Sequence, residues 1–581
     1  MPYAVGNNND NLRGITMKML GWLLAACCFF AVGTASEDHV RKTMVRDLEG
    51  IRNVYDVDYA FADWKGELFG WDLDVAFEQA VSDVWGMEEL SVKKFHRIVR
   101  DFVVSMKDYH VNVHFNCTES ASLPFAVWSA QGRYFVCWID EECPKEIGLG
   151  DELIRFDGRA VKEVIAELKA MGDYGVEATD EALAAMFLTR RSARSAYAVP
   201  QGPVSVVLKP KKAREKTVNL EWEYRPEKVS LDPGQCSGVK SMRACQSVAF
   251  GGKKESALRR FVKEYSMTLP LYDHFVKGER NAQENTFALG HREGPLPPLG
   301  KVTWKVDESY PFYAYIFEGP RGKKVGYVRI PHYDLWEEDI EFFADIILRF
   351  EQQTDMLVID QLNNPGGFGL LACSLSSMLS TEPTVLPHMQ WKLNPSIIHH
   401  AVEVIEELDQ IVDDLDAKWW LGESFFGHAV SMNLVNQLKS YFQFLVDEWQ
   451  AGKTVTDSFY FMGIDQLPPH PWAHYSKPVF VLINEQDFSC GDLFPAILQD
   501  NDHARLLGKR TAGAGGSVWG MEIPNHFGVD SMSVTVTKVV RLDGSFIETL
   551  GVKPHIPIEV TANDMQSEFV DYIKAVKAHL K

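Results

Sequence analysis

The chain has 581 residues, of which 46% are hydrophobic, 24% charged and 12% aromatic. That balance excludes a disordered or fibrous protein, and at about 150 residues per domain it allows three or four folding units. Eighty acidic against 59 basic residues give a net charge of −21, so nucleic acid and anionic membrane are poor partners, because phosphate binding needs a basic surface.

Residues 19–32 (MLGWLLAACCFFAV) form one apolar run of 14, preceded by Arg13 and Lys18 and followed by the small residues Gly33, Thr34 and Ala35. A membrane span needs about 18 apolar residues or more, so residues 1–35 read as a secretory signal cut after Ala35. Met17-Lys18 opens a better start of that signal than Met1 does. Leu24-Ala25-Ala26-Cys27 also resembles a lipidation box, but the apolar run continues past Cys27. No second span follows, so the expected mature protein is exported, soluble and without a membrane span. Seven cysteines lie beyond the signal: Cys117, Cys137, Cys143, Cys236, Cys245, Cys373 and Cys490. No C-x-x-C pair occurs, which removes the usual zinc and redox motifs. One bridge within 117–143 or 236–245 stays open.

Within an N-terminal helical region (36–115), residues 91–106 place Val92, Phe95, Val99, Phe102 and Met106 at helical spacing behind Ser91, a suitable N-cap. Alternation then takes over in HVNVHF (110–115), which reads as a strand and puts His110 at the junction. Residues 145–160 give a turn, a short strand and an Asp-Gly turn before a helix from Val161, and strands resume at 204–208 and 217–224; together they suggest a small unit over 116–225. The stretch 209–264 carries 14 basic and 7 acidic residues, a local +7 in an acidic chain. With its Pro-Gly and Gly-Gly breaks, 226–300 reads as an insert or an exposed basic linker.

From about 302 strands alternate with helices. MLVI (356–359) precedes a glycine-rich loop and an apolar helix at 370–379, and a helical hairpin runs through 400–450. VFVLI (479–483) leads through a turn into CGDLFPAILQ, residues 532–540 alternate, and Asp543-Gly544 turns into SFIETLGV. This grammar gives the fold class: multidomain α/β (α+β overall), with an α/β catalytic core over 301–562 and a final helix over 563–581.

Several residues have the chemistry for catalysis. Ser489 stands between a buried strand and a helix, where its side chain would be exposed at the sheet's end and the helix dipole favours negative charge. It also fits a capping box with Asp492, and a serine there is more often a cap. Asn364-Pro365-Gly366-Gly367 could converge backbone N–H groups on an oxyanion, or be a plain turn. His110 could be a general base, a satisfied histidine at a strand end, or with His114 a metal ligand. Glu548 could stabilise an imidazolium or sit exposed at a strand end.

Together these residues resemble the tail-specific, or C-terminal processing, family of serine peptidases. The likeness runs through a PDZ-like Gly148-Leu149-Gly150-Asp151-Glu152, then Asn364-Pro365-Gly366-Gly367, Ser489 and Gly551-Val552-Lys553-Pro554. MKDYH (106–110), LINEQDFSCGDL (482–493), GKRTAGAGG (508–516) and FIETLGV (546–552) are similar to a secreted chlamydial branch of that family. The family's usual lysine base would fall on Ala514, and Lys509 is out of register, so the base has to come from elsewhere. The family's Gly-Val-x-Pro-Asp ending reads His555 here, which touches no named role. The resemblance implies a Ser489–His110–Glu548 triad, with oxyanion donors from Cys490 and from Gly366 or Gly367. It also implies a PDZ-like unit over 116–225 and an autoinhibitory segment within 226–300 that is removed by self-cleavage. The active form would be a secreted homodimer acting on protein substrates, host proteins among them, with no cofactor and no metal. The competing expectation is a non-catalytic peptide-binding protein on a relict protease fold.

Overall fold

The computed structural model describes residues 37–229, 256–264, 267–268 and 284–581; the expected signal and Cys236 and Cys245 lie outside them. The N-terminal region is helical: α1 (37–58), α2 (Ala62–Phe69), α3 (Leu73–Gly86) and α4 (Val92–Val104). On α4 the apolar spacing buries Phe95, Val99, Phe102 and Val103, and the Ser91 hydroxyl accepts from the Lys94 N–H. Strand β1 (Asn112–Phe115) follows, and its antiparallel pairing aligns Asn112 with Ser533 of the core. The segment around His110 is therefore stitched to the core across more than 400 residues of chain.

The second unit is an antiparallel sheet of β2 (Phe125–Ala130), β3 (Arg133–Ile139), β4 (Glu152–Phe156), β5 (Pro203–Lys209) and β6 (Lys216–Glu221), paired in that order. Helices α5 (Val161–Ala170) and α6 (Glu177–Leu188) complete it, around a separate apolar cluster that includes Val136, Leu153, Ile165 and Val206. The Gly148–Asp151 turn is not free at its tip. A Cβ on Gly150 would lie 2.7 Å from the Met565 carbonyl, so this turn packs against the C-terminal segment.

Two described pieces of the middle region depart from the exposed-linker expectation. Residues 257–264 form a helix, α7 (Ala257–Glu264), because Leu258 and Phe261 give it one apolar stripe that it buries. Next comes β7 (Met267–Thr268). Residues 284–300 are packed too: Leu289, Leu296 and Leu299 are buried, and Asn363 Nδ2 donates to the Phe287 carbonyl at 3.0 Å.

The core carries a seven-stranded sheet whose continuous apolar runs are covered on both faces. Its strands are β8 (Val302–Lys305), β9 (Tyr313–Glu318), β10 (Lys324–Arg329), β11 (Met356–Asp360), β13 (Val479–Ile483), β14 (Arg505–Gly508) and β16 (Ile556–Pro557), in that spatial order. The first two junctions are antiparallel and the last four parallel. Parallel junctions need crossovers. Helix α8 (Asp339–Gln353) joins β10 to β11, and α12 (Cys490–Asp500) joins β13 to β14. Between β11 and β13 come β12 (Gly366–Gly367), α9 (Gly369–Ser377), α10 (Pro395–Leu408) and α11 (Met432–Gln450). Because β11 and β13 are parallel neighbours, the loops leaving their carboxyl ends lie side by side. Strand β15 (Val529–Thr535) receives β1, and α13 (Val570–His579) closes the chain.

Cys117, Cys137, Cys143, Cys373 and Cys490 are free thiols, so no bridge forms within 117–143. No helix of the described residues is long and apolar enough to cross a membrane.

The edge between β13 and β14 offers a direct test of this packing. Gly508 has φ +127°, and a Cβ there would sit 2.0 Å from the Ile483 carbonyl oxygen. Gly508→Ala should therefore lower the Tm, with backbone strain alone costing about 1–3 kcal/mol. An unchanged Tm in calorimetry would contradict this strand register.

Candidate active site

Ser489 occupies the turn between β13 and α12 with φ 60° and ψ −112°. A side-chain-bearing residue holds such a conformation only when its surroundings over-determine it, at a cost of about 1–3 kcal/mol. Three bonds do so here. The Ser489 N–H donates to Asp492 Oδ2 at 2.9 Å, the Gly491 N–H to the Phe488 carbonyl at 2.7 Å, and the Phe488 N–H to the Asn364 carbonyl at 2.7 Å. Gly491 has to be glycine, since a Cβ would come within 2.9 Å of the Asn364 oxygen. The conformation is that of a sharp strand-to-helix elbow, reached without a G-x-S-x-G sequence.

Asp492 does more than return the cap. Fully buried, it also accepts from the Gly513 N–H (2.8 Å), the Ala514 N–H (3.0 Å) and the Thr511 hydroxyl. Burial pushes its carboxyl up to about 7, against the pull of those hydrogen bonds. The sequence showed only its capping position; its reach to 511–514 depends on the tertiary fold.

His110 is fully buried. Its backbone N–H donates to Asp108 Oδ1 at 2.8 Å and its backbone carbonyl accepts from Ser533 Oγ at 2.7 Å. The preceding Tyr109 packs edge-on against Phe488 with centroids 5.4 Å apart, and one apolar cluster holds Tyr109, Phe488 and Ala514. The fold thus brings the immediate chain neighbours of His110 and Ser489 into contact. Burial pushes the imidazole down to about 4, with Asp108 opposing, so it is neutral at pH 7, the form a general base requires. Neither ring nitrogen has a hydrogen-bond partner among the described residues.

Glu548 is buried rather than exposed at a strand end, with 1% of its surface accessible. Its Oε2 accepts from the Gly515 N–H at 3.0 Å, and its Oε1 from Lys65 Nζ at 2.5 Å. The direct Glu548–His110 bond of a triad is therefore not formed in this state. Lys65, itself fully buried on α2, also donates to the Lys107 carbonyl at 2.6 Å and to Thr549 Oγ1 at 2.7 Å. Burial raises the Glu548 carboxyl and Asp108 reinforces that, while Lys65 lowers it. Sequence reasoning missed Lys65 altogether, because one lysine in ADWKGELF carries no pattern that sets it apart from a solvated one.

The Asn364–Gly367 loop lies beside the Ser489 turn. Asp487 fixes both loops by accepting from the Asn364 N–H (3.1 Å), the Asn484 N–H (2.9 Å) and Gln361 Nε2 (3.2 Å). The Gly366 N–H is engaged by Asn364 Oδ1 at 2.8 Å. Gly367 has φ 146°, and a Cβ there would meet the Tyr333 backbone at 1.9 Å. The Cys490 thiol donates to the Gly367 carbonyl at 3.2 Å, so the two candidate oxyanion segments touch. On its other side β12 pairs antiparallel with β7, Met267 opposite Gly367 and Thr268 opposite Gly366. Lys509 is paired with Glu485 at 2.7 Å, and Ala514 is buried. Among the described residues no group of three or more His, Cys, Asp and Glu is placed to hold a metal.

Comparison with known proteins gives this geometry a context. The PDZ domain family matches residues 119–229 and Peptidase family S41 matches 324–558. A Chlamydia trachomatis protein is 32% identical over 96% of both chains, and a Chlamydia pneumoniae protein is 33% identical over 94% of this chain and 91% of its own. The crystal structure of mature CPAF superposes with a TM-score of 0.80 at 31% identity, covering 93% of this chain and 97% of that one. The chain belongs to peptidase family S41, as a CPAF-like member with a PDZ domain. It is a serine peptidase by family, with an N-terminal helical part, a PDZ domain and a mixed-sheet core. In this CPAF-like peptidase the PDZ helix α6 reaches the site directly, since Thr179 Oγ1 donates to the Glu485 carbonyl at 2.8 Å.

His96 and His110 are both pushed down to about 4 from 6.5 by burial, so each binds a proton near pH 6.5 only when unfolded. Their contribution to stability is complete above 6.5 and is lost as the pH falls towards 4, at about 1.4 kcal/mol per pH unit for each. The Asp492 carboxyl, pushed up to about 7 by burial, acts in the opposite sense over the same range, so the check is differential: between pH 6.5 and 4 the wild-type Tm should fall relative to that of His96→Gln. Separately, Lys65→Met should cost about 3–5 kcal/mol, because it strands a buried carboxylate. In denaturant unfolding, Lys65→Met/Glu548→Gln should cost clearly less than the two single substitutions summed; strict additivity would rule out the pair as a coupled unit.

Proposed function

We propose that this S41 peptidase is an exported endopeptidase made as a self-processing zymogen, with Ser489 as nucleophile, His110 as general base and Glu548 as the group that stabilises the imidazolium. The observation that carries the catalytic assignment is the strained Ser489 turn packed, through Phe488 and Tyr109, against the segment of a buried neutral histidine. A binding protein has no use for such a conformation. His110 takes the proton as Ser489 attacks a peptide carbonyl. The N–H groups of Cys490 and of Gly367, or of Gly366 once it leaves Asn364 Oδ1, receive the tetrahedral oxyanion, one such donor being worth roughly 3–4 kcal/mol of barrier. The leaving amine takes its proton from His110, and water then releases the acyl-enzyme.

The autoinhibitory reading rests on β7. A strand of the insert lies along Gly366–Gly367, the edge that an extended substrate would use. Helix α7 anchors it: Phe261 packs on Trp391 and Phe442, with centroids 5.4 and 4.9 Å away, and Arg260 pairs with Glu403 of α10 at 3.3 Å. A basic segment thus docks on an acidic helix. Release of β7 would uncover the Gly366–Gly367 edge, and Glu548 would act on His110 directly or through water. Export through residues 1–35, action on host proteins and assembly of the released form as a homodimer belong to the same proposal.

Fluorophosphonate labelling of wild type but not of Ser489→Ala tests the nucleophile. Ser489→Ala and His110→Ala should each lower turnover by about a million-fold, with Lys509→Ala near wild type; residual activity within about tenfold of wild type in Ser489→Ala would sink the assignment. Phe261→Ser, which loosens α7, should speed labelling of the uncut chain. An unchanged rate in a folded protein would argue against inhibition by the insert.

A further inference from the structure

A groove of about 500 Å³ opens beside Phe368, the residue that follows Gly367. Its floor and walls are aromatic: Trp336 and Phe368 face each other at 5.9 Å, with Phe426 and Trp472 beyond them. Trp336 and Trp472 are 57% and 48% exposed, which is unusual for side chains of that size unless something covers them. Its rim is acidic, with Glu337, Glu338 and Glu341 along the start of α8 and Glu423 opposite, the last paired with Lys418 at 3.3 Å. Glu337 is fixed in place by the Phe426 N–H at 2.9 Å.

The insert shows what such a surface takes. Arg259, Val262 and Lys263 of α7 form one wall. Lys263 Nζ stands 5.3 Å over the Trp336 ring, and Arg259 approaches Glu337 at 3.7 Å. Aromatic faces and carboxylates attract cations together, since a ring quadrupole and an anion act on the same charge.

We propose that this groove is a docking site for a stretch of the protein substrate rich in lysine or arginine and bulky apolar side chains, outside the scissile bond, part of which α7 fills in the uncut chain. It rests on the peptidase reading for the word substrate, and on charge and aromatic complementarity for the binding. A substrate segment seated there would continue towards Gly366–Gly367 along the path that β7 now takes. The site would therefore select for composition at a distance from the cut.

Anisotropy tests it on the full chain bearing Ser489→Ala, Arg259→Ala and Lys263→Ala, which prevents cleavage and clears the two charges of α7 from the groove. The probes are a short fluorescein peptide alternating Lys with Phe and its twin with Glu for every Lys. The Lys peptide should bind about tenfold more tightly, a gap of the size a cation–π contact and an ion pair provide. Adding Glu337→Gln and Glu341→Gln, or Trp336→Ala, should close that gap, while Glu308→Gln with Glu318→Gln should leave it. Equal binding of the two peptides, or equal effects of the two carboxylate pairs, would overturn the site and leave only the general field of an acidic protein. Binding needs no cleavage, so a parent chain whose Ser489 fails to label would remove the peptidase reading and leave this result standing.

Discussion

The site depends on one buried carboxylate. Asp492 receives the Ser489 N–H, the Gly513 and Ala514 N–H groups and the Thr511 hydroxyl, so a single side chain ties the strained serine turn to the loop that follows β14. Gly515, one residue beyond that loop, holds Glu548. A buried carboxyl group with several hydrogen-bond partners is a directional junction in a dry interior, and its removal would leave several backbone donors unpaired at once. Geometry at Ser489 and position at Glu548 are in this way two readouts of the same junction.

The remaining control is exerted from outside the core. Lys65 comes from the N-terminal helices, Thr179 from the PDZ domain and β7 from the insert, and each touches a different part of the site. The grip of the insert has two components. Its exposed ion pairs are worth about 0–1 kcal/mol each, whereas burying Leu258 and Phe261 is worth about 1.5–3 kcal/mol each. Apolar docking therefore dominates and charge gives direction, as the proposed inhibitory role of the insert requires.

Much of this was legible in the sequence because it is local. The strand-to-helix change before Ser489, the double glycine after Asn364 and the helix-to-strand switch at His110 each lie within a few residues, and local pattern fixes local structure. The absence of a lysine at Ala514 is visible only against the family the chain resembles, and the base remains part of the proposal. Contacts across hundreds of residues were not legible. The Lys65–Glu548 pair spans the chain, and nothing in either segment marks one for the other. The middle region misled for a different reason: α7 is short and its stripe holds only Leu258 and Phe261, so charge outweighed periodicity, and the buried 284–300 segment is irregular enough to read as a linker.

In the proposed self-cleavage, nucleophile, base and insert would have to act together. The decisive measurement is an intact-mass time course on the full chain beside its Ser489→Ala variant. Only the wild type should split, with cuts inside 226–300, while the variant stays whole. Cutting of both chains at the same rate and sites, or a wild type that labels with fluorophosphonate yet never cuts itself, would contradict a zymogen that processes itself through Ser489.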